Sequence, residues 1–149
     1  MPTFREQPYA GFNFLVHLGG LDAGGVQAGF SRVSGLDNRL GLLRYRAGND
    51  RSLAPRLYPG LVEVPTVRLE RGLIGDLGLY EWLQRALGGE AERRDLRIDL
   101  VSEDRSAVAQ SWRLHRALPV ALEGPQLNAL GNEVAIETLE LAAERLSLD

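Results

Sequence analysis

The sequence predicts a mainly β fold with one flanking helix. Three observations carry that reading: short runs alternate apolar and polar residues, glycine- and proline-bearing breaks separate them, and only one segment shows a helical apolar stripe with no competing strand reading. A chain of 149 residues is expected to form a single domain over residues 1–149. At this size folding buries roughly 70% of the unfolded surface, so 44% apolar residues can support a core without covalent staples.

The first strand is predicted over residues 12–18, where Phe12, Phe14 and Val16 alternate with polar neighbours. Residues 19–25 hold four glycines that supply a turn, and residues 26–34 return as a second strand ended by Gly35. From 36 to 65 the pattern weakens. Arg39, Arg44, Arg46, Arg51 and Arg56 punctuate it, and Gly41, Gly48, Pro55, Pro59, Gly60 and Pro65 break it, leaving one short strand near 42–46. Thirty irregular residues are unusual inside a domain and read as an extended functional arm.

Residues 66–71 alternate cleanly and end at Gly72. The helix is predicted over 76–87, with Asp76 as N-cap, a stripe of Leu79, Trp82, Leu83, Ala86 and Leu87, and Gly88-Gly89 as its stop. Leu96, Ile98 and Leu100 form the next strand. After the turn at 103–106, residues 108–116 return with Trp112 and Leu114 on one face and continue through 119–122. The last segment reads two ways. Ile136, Leu139, Ala143 and Leu146 suit a helix with Glu133, Glu137, Glu140 and Glu144 opposite, whereas Val134, Ile136 and Thr138 against Leu139 and Leu141 suit a strand.

Composition narrows the chemistry. A net charge of −3 is mild and argues neither for nor against nucleic acid as a bulk partner. All 17 basic residues are arginine, a side chain suited to planar pairing with carboxylates at protein contacts. The absence of cysteine removes disulfides and thiolate metal sites. No signal-peptide pattern opens the chain and no apolar run approaches the ~20 residues of a membrane span, so no membrane insertion and cytoplasmic production are expected.

No catalytic, cofactor-binding or metal-binding residues emerge. His17 and His115 lie in separate predicted strands without a third ligand at short spacing, and read as exposed or edge-strand residues. The glycines of 19–25 lack the Gly-Lys-Ser/Thr ending and following helix of a phosphate loop. Gly29-Phe30-Ser31-Arg32-Val33 lacks the second glycine of a nucleophile elbow. The glutamates of 133–144 read as a solvated or subunit-facing stripe, and Trp82 and Trp112 as core. Among the arginines of the middle segment, Arg44, Arg46, Arg51 and Arg56 are the candidates for subunit contacts.

Several landmarks then fall in a particular order. Phe12-Asn13-Phe14 with Val16 is followed by Gly29-Phe30-Ser31 and Val33-Ser34-Gly35-Leu36. Tyr45-Arg46 with Gly48-Asn49 leads to Pro59-Gly60-Leu61. Leu69-Glu70-Arg71-Gly72 precedes Leu79, Trp82 and Leu83. Trp112, Ala117, Pro119 and Glu123-Gly124-Pro125 lead to Asn132-Glu133-Val134-Ala135-Ile136-Glu137. Over residues 12–148 this series resembles the tail tube proteins of contractile phages and phage-like contractile injection systems. Two departures stand out: Val62-Glu63-Val64-Pro65 replaces a more polar, glycine-bearing stretch, and the arm uses arginine where relatives often mix in lysine.

The resemblance implies an antiparallel β-barrel or sandwich flanked by one helix, similar to the haemolysin-coregulated tube protein of type VI secretion. It also implies a strand at the C-terminal segment. Function follows as an expectation: a structural inner-tube subunit, not an enzyme, forming stacked hexameric rings. The implied partners are further copies, a sheath, baseplate, initiator and spike components, and protein or DNA cargo in the lumen. Assembly in the cytoplasm into a phage tail or injection particle is expected. A tube initiator or adaptor forming one ring is an alternative within the family, and a monomeric small-ligand-binding β-barrel is an alternative outside it.

Overall fold

A computed structural model describes residues 2, 4–19 and 27–149, with residues 27 and 28 described by backbone only. Among these residues the strands are β1 (Phe14–His17), β2 (Gln27–Ala28), β3 (Arg32–Ser34), β4 (Arg39–Tyr45), β5 (Arg56–Glu63), β6 (Val67–Gly72), β7 (Arg94–Val101), β8 (Val108–Glu123), β9 (Ile136–Ala142) and β10 (Arg145–Leu148). The helix α1 spans Gly78–Leu87.

Every strand pairing is antiparallel. One sheet runs β2-β1-β7-β8-β9-β6-β3, with β10 also on β8. The 16-residue β8 joins two parts of it. Its first half pairs with β7 and β10, and its second half pairs with β9. Leu118 faces Ala142 and His115 faces Arg145, so β9 and β10 are collinear segments on one side of β8. Arg116, at φ 53°, and a register shift between Pro119 and Ala121 bend β8 between its halves. The sheet thereby folds over on itself as two packed faces.

Between these faces lies the core. Val16, Leu96, Ile98, Leu114 and Leu146 come from one part, and Val67, Leu69, Leu139 and Leu141 from the other. Leu79 and Trp82 of α1 fill the remaining side. Trp82 is fully buried, its indole N–H donates to Glu92 O at 2.8 Å, and the Arg94 guanidinium lies over its ring at 4.5 Å. A single aromatic thus pins the helix by apolar burial, a hydrogen bond and a cation–π contact.

Several expectations are corrected. The turn predicted at 19–25 lies, beyond Gly19, outside the described residues. The strand predicted over 26–34 is two strands on different neighbours: β2 pairs with β1, and β3 with β6. Chain reversal after β3 uses Gly35 at φ 85°, where a Cβ would sit 2.3 Å from Thr66 O. The helix starts two residues late, because Asp76 Oδ1 accepts from Gly78 N at 2.9 Å and Leu77 takes the N-cap position. Leu87, predicted to join the apolar stripe, is exposed at the helix end.

The C-terminal segment is strand, as the resemblance implies, because Leu139 and Leu141 alternate into the core between β6 and β8. Val134 lies before it and is exposed. The glutamate stripe is correspondingly split. Glu137 is buried beside Arg71, Glu140 pairs with Arg68, and Glu144 pairs with Arg93 and Arg116. Trp82 is core as expected, and Trp112 is half-buried against it.

Candidate assembly interface

Residues 36–65, read from sequence as an irregular arm, are a regular hairpin. β4 pairs with β5 from Arg39 opposite Glu63 to Tyr45 opposite Arg56. The register shifts between Leu40 and Leu42, and the strands approach closely there. A Cβ on Gly41 would lie 2.8 Å from Leu61 O, and one on Gly60 3.0 Å from Gly41 O. At roughly 3.3 Å per residue the strands give a ribbon roughly 25 Å long.

Among the described residues β4 and β5 form a sheet of their own, pairing with each other and with no other strand. Cross-strand partners share a face, so Leu42 and Pro59 lie on one side with Leu57, and Leu43 and Tyr58 lie on the other with Tyr45. These apolar residues are exposed on both sides, as are Leu61 (86%) at the base and Leu53 (88%) near the tip. A two-stranded ribbon of this kind is marginal in water without something to cover it.

The four candidate arginines separate within the arm. Arg46 closes the tip, donating to Ser52 O and Asp50 O at 2.7 Å each. Arg44, Arg51 and Arg56 are exposed and have no ion-pair partner among the described residues. Arg44 lies opposite Leu57, and Arg56 opposite Tyr45, so each charge is set among apolar groups.

A second exposed apolar surface lies at the other end of the β6–β9 pair. Gly72 faces Ile136 there, and Leu73 N donates to Ala135 O at 2.8 Å. Ile74, Leu77, Leu127, Leu130 and Val134 are exposed in the adjoining loops, Leu130 at 98%. The acids of this region are Asp76, Glu123 and Glu133. Among the described residues, the open edges include β3, and β8 beyond Ala117, where β7 ends and only β9 pairs. Pro119, without an N–H, sits in that second edge.

The histidines are closer than their sequence positions suggest. β7 lies between β1 and β8, and His17 and His115 line one cleft of 290 Å³ with Arg97, Arg113 and Asp95. Both are half-buried, not edge residues in open solvent, and both are partnered. His17 Nε2 is 3.0 Å from Asp99 Oδ2, and His115 Nε2 is 2.8 Å from Ser147 Oγ. The buried Asp99 also accepts from Ser111 Oγ at 2.6 Å and from Arg97 Nε at 3.2 Å. Among the described residues no group of three or more His, Asp or Glu side chains is placed to hold a metal ion.

A folded antiparallel sheet with one docked helix, open edges and an uncovered apolar hairpin has the build of a subunit for assembly. The chain belongs to the T4-like virus tail tube protein gp19 family, whose model matches residues 10–147. It is similar to a chain of the PVC extracellular contractile injection system sheath-tube complex in the extended state. That match has 26% identity, covers 97% of this chain and 93% of the other, and has a TM-score of 0.82. A chain in the baseplate structure of the anti-feeding prophage is 27% identical, with 97% of both chains covered and a TM-score of 0.84. Hcp1 from Flavobacterium johnsoniae shares the fold at 16% identity, with 91% and 93% covered and a TM-score of 0.58. No curated protein matches the sequence.

Proposed function

We propose that this chain is the structural subunit of an inner tube, closing into hexameric rings that stack inside a contractile sheath. The observation that carries this reading is the β4–β5 hairpin, which exposes apolar side chains on both faces and needs a partner to cover them. A neighbouring copy is the cover that the family and the sheath-tube relative favour. Arg44, Arg51 and Arg56 then pair with carboxylates of that neighbour.

Ring closure uses two of the open edges. β3 of one copy adds to residues 118–123 of the next, so backbone amides and carbonyls left single in one subunit become paired. This contact is head-to-tail and closes when its rotation closes. The sheath surrounds the tube, a baseplate and spike sit at one end, and cargo passes through the lumen. Assembly takes place in the cytoplasm.

The role is structural, not enzymatic. The space between the sheet faces is filled by leucines, valines and Trp82, which favours a load-bearing subunit over a small-ligand barrel. Electron microscopy of the purified protein tests the proposal. Hexameric rings or stacked tubes are expected, and a protein that stays monomeric across concentration, salt and crowding conditions would contradict it.

A further inference from the structure

The face of β1, β7, β8 and β10 that points away from the core carries a row of basic residues. Val16, Ile98, Leu114 and Leu146 are core residues, so alternation turns His17, Arg97, Arg113 and Ser147 outward. These four are direct cross-strand partners: His17 faces Arg97, Arg97 faces Arg113, and Arg113 faces Ser147. Like charges directly opposite each other destabilise a sheet, and a counter-charge between them removes that cost. The acids of the same face reach only one side of each guanidinium. Arg97 Nε donates to Asp99 Oδ2 at 3.2 Å, and Arg113 Nε pairs with Asp149. The Arg113 Nη groups have no hydrogen-bond or ion-pair partner among the described residues. Arg97 and Arg113 open into the 290 Å³ cleft that His17 and His115 also line.

We infer that this cleft binds a tetrahedral oxyanion of the phosphate or sulfate class, held between Arg97 and Arg113 and gated by the two imidazoles. Each histidine occupies an arginine. His17 Nε2 lies 3.1 Å from Arg97 Nη2 and 3.0 Å from Asp99 Oδ2, and His115 Nε2 lies 3.3 Å from Arg145 Nη2 and 2.8 Å from Ser147 Oγ. One nitrogen cannot accept from a guanidinium and donate to a carboxylate at once. A neutral imidazole accepts from the arginine, whereas a charged one has only donors. Protonation therefore turns His17 Nε2 toward Asp99 and releases Arg97 Nη2 into the cleft, and on His115 it releases Arg145 in the same way. The charge balance follows. Arg97, Arg113 and Arg145 are matched in number by Asp95, Asp99 and Asp149, while Arg116 pairs with Glu144 beside them. The face is thus neutral with neutral imidazoles and carries two positive charges once both are protonated, a change that imidazole makes between pH 5 and 8. Freed guanidinium groups suit a tetrahedral oxyanion, whose oxygens accept planar paired N–H donors.

Sulfate is the probe that tests the site, because its own charge does not change over this pH range. Isothermal titration calorimetry of sulfate into the full chain, at fixed ionic strength, is expected to show binding at least about tenfold tighter at pH 5.5 than at pH 8. Arg97→Gln with Arg113→Gln is expected to abolish binding at both pH values, with circular dichroism verifying the fold. His17→Gln with His115→Gln keeps both arginines of the row and removes the titrating groups. Its sulfate affinity is expected to be the same at pH 5.5 and pH 8, and this variant carries the test should the arginine variant fail to fold. No sulfate binding by the parent at pH 5.5, equal affinity at both pH values, or a pH dependence that survives in the double glutamine variant of the histidines would overturn the inference. The tube reading stands or falls separately, on whether rings form.

Discussion

Arg71 and Glu137 are buried opposite each other at the end of the β6–β9 core face, and Arg71 also donates to Asp76 O at 3.3 Å. The pair continues the row formed by Val67 with Leu141 and Leu69 with Leu139, so a charge pair occupies a core position. Removing one partner leaves the other charge buried. Glu137→Ala is expected to lower stability by about 3–5 kcal/mol in urea unfolding, whereas Arg71→Met with Glu137→Leu stays within about 1 kcal/mol of the parent. A second residue-scale feature is the latch on residues 4–10. Arg5 donates to both Glu103 carboxylate oxygens, at 2.5 and 3.0 Å, and Ala10 N donates to Oε1 at 3.0 Å. The Arg5 hydrogen bond, helped by the Ala10 amide, lowers the Glu103 pKa to about 2. Because the folded-state pKa is depressed, the latch contributes fully above the ordinary carboxylate range and is lost as pH falls through about 2. Hydrogen exchange at the Ala10 amide should therefore stay protected at pH 3 and be lost in Glu103→Gln; loss of protection by pH 4 in the parent would contradict this.

At the scale of elements, α1 depends on Trp82, since its other buried anchors are only Leu79 and Leu83. Trp82→Ala is expected to cost about 3–5 kcal/mol, read from the urea midpoint, because the cavity opens between the helix and both sheet faces. This helix and the alternating core strands were legible in the sequence, since each has one wet face and one dry face and so a clear period. The β4 strand was seen only in part and β5 not at all. Leu42 and Leu43 lie on opposite faces of a ribbon that is apolar on both, so the period-two contrast of a half-buried strand is absent. Glu137 was hidden for a different reason: local pattern shows an acid in an acidic stripe, and only pairing with β6 reveals the arginine opposite. The split of residues 26–34 between two neighbours is likewise a matter of long-range pairing. Of the candidate contact residues, Arg44, Arg51 and Arg56 lie exposed on the hairpin, whereas Arg46 is occupied at its tip, which the sequence did not show. The exposed apolar loops carried no comparable signal, because Leu127 and Leu130 look like ordinary residues of a turn-rich stretch.

For the whole molecule, the body and the arm are held together by different means. The body has a closed apolar core with its buried charges partnered, and its edges are short or interrupted by proline. The arm is a two-stranded ribbon with no core of its own, and in the proposed tube its exposed apolar faces are covered by a neighbouring copy. This division predicts that the body folds without the arm and that the arm governs growth from ring to tube. Tube length in the variant lacking residues 44–56 is the measurement that tests this most directly. The variant is expected to keep the parent's circular dichroism spectrum and to form rings and no stacks; tubes of parental length from it would contradict this role of the arm.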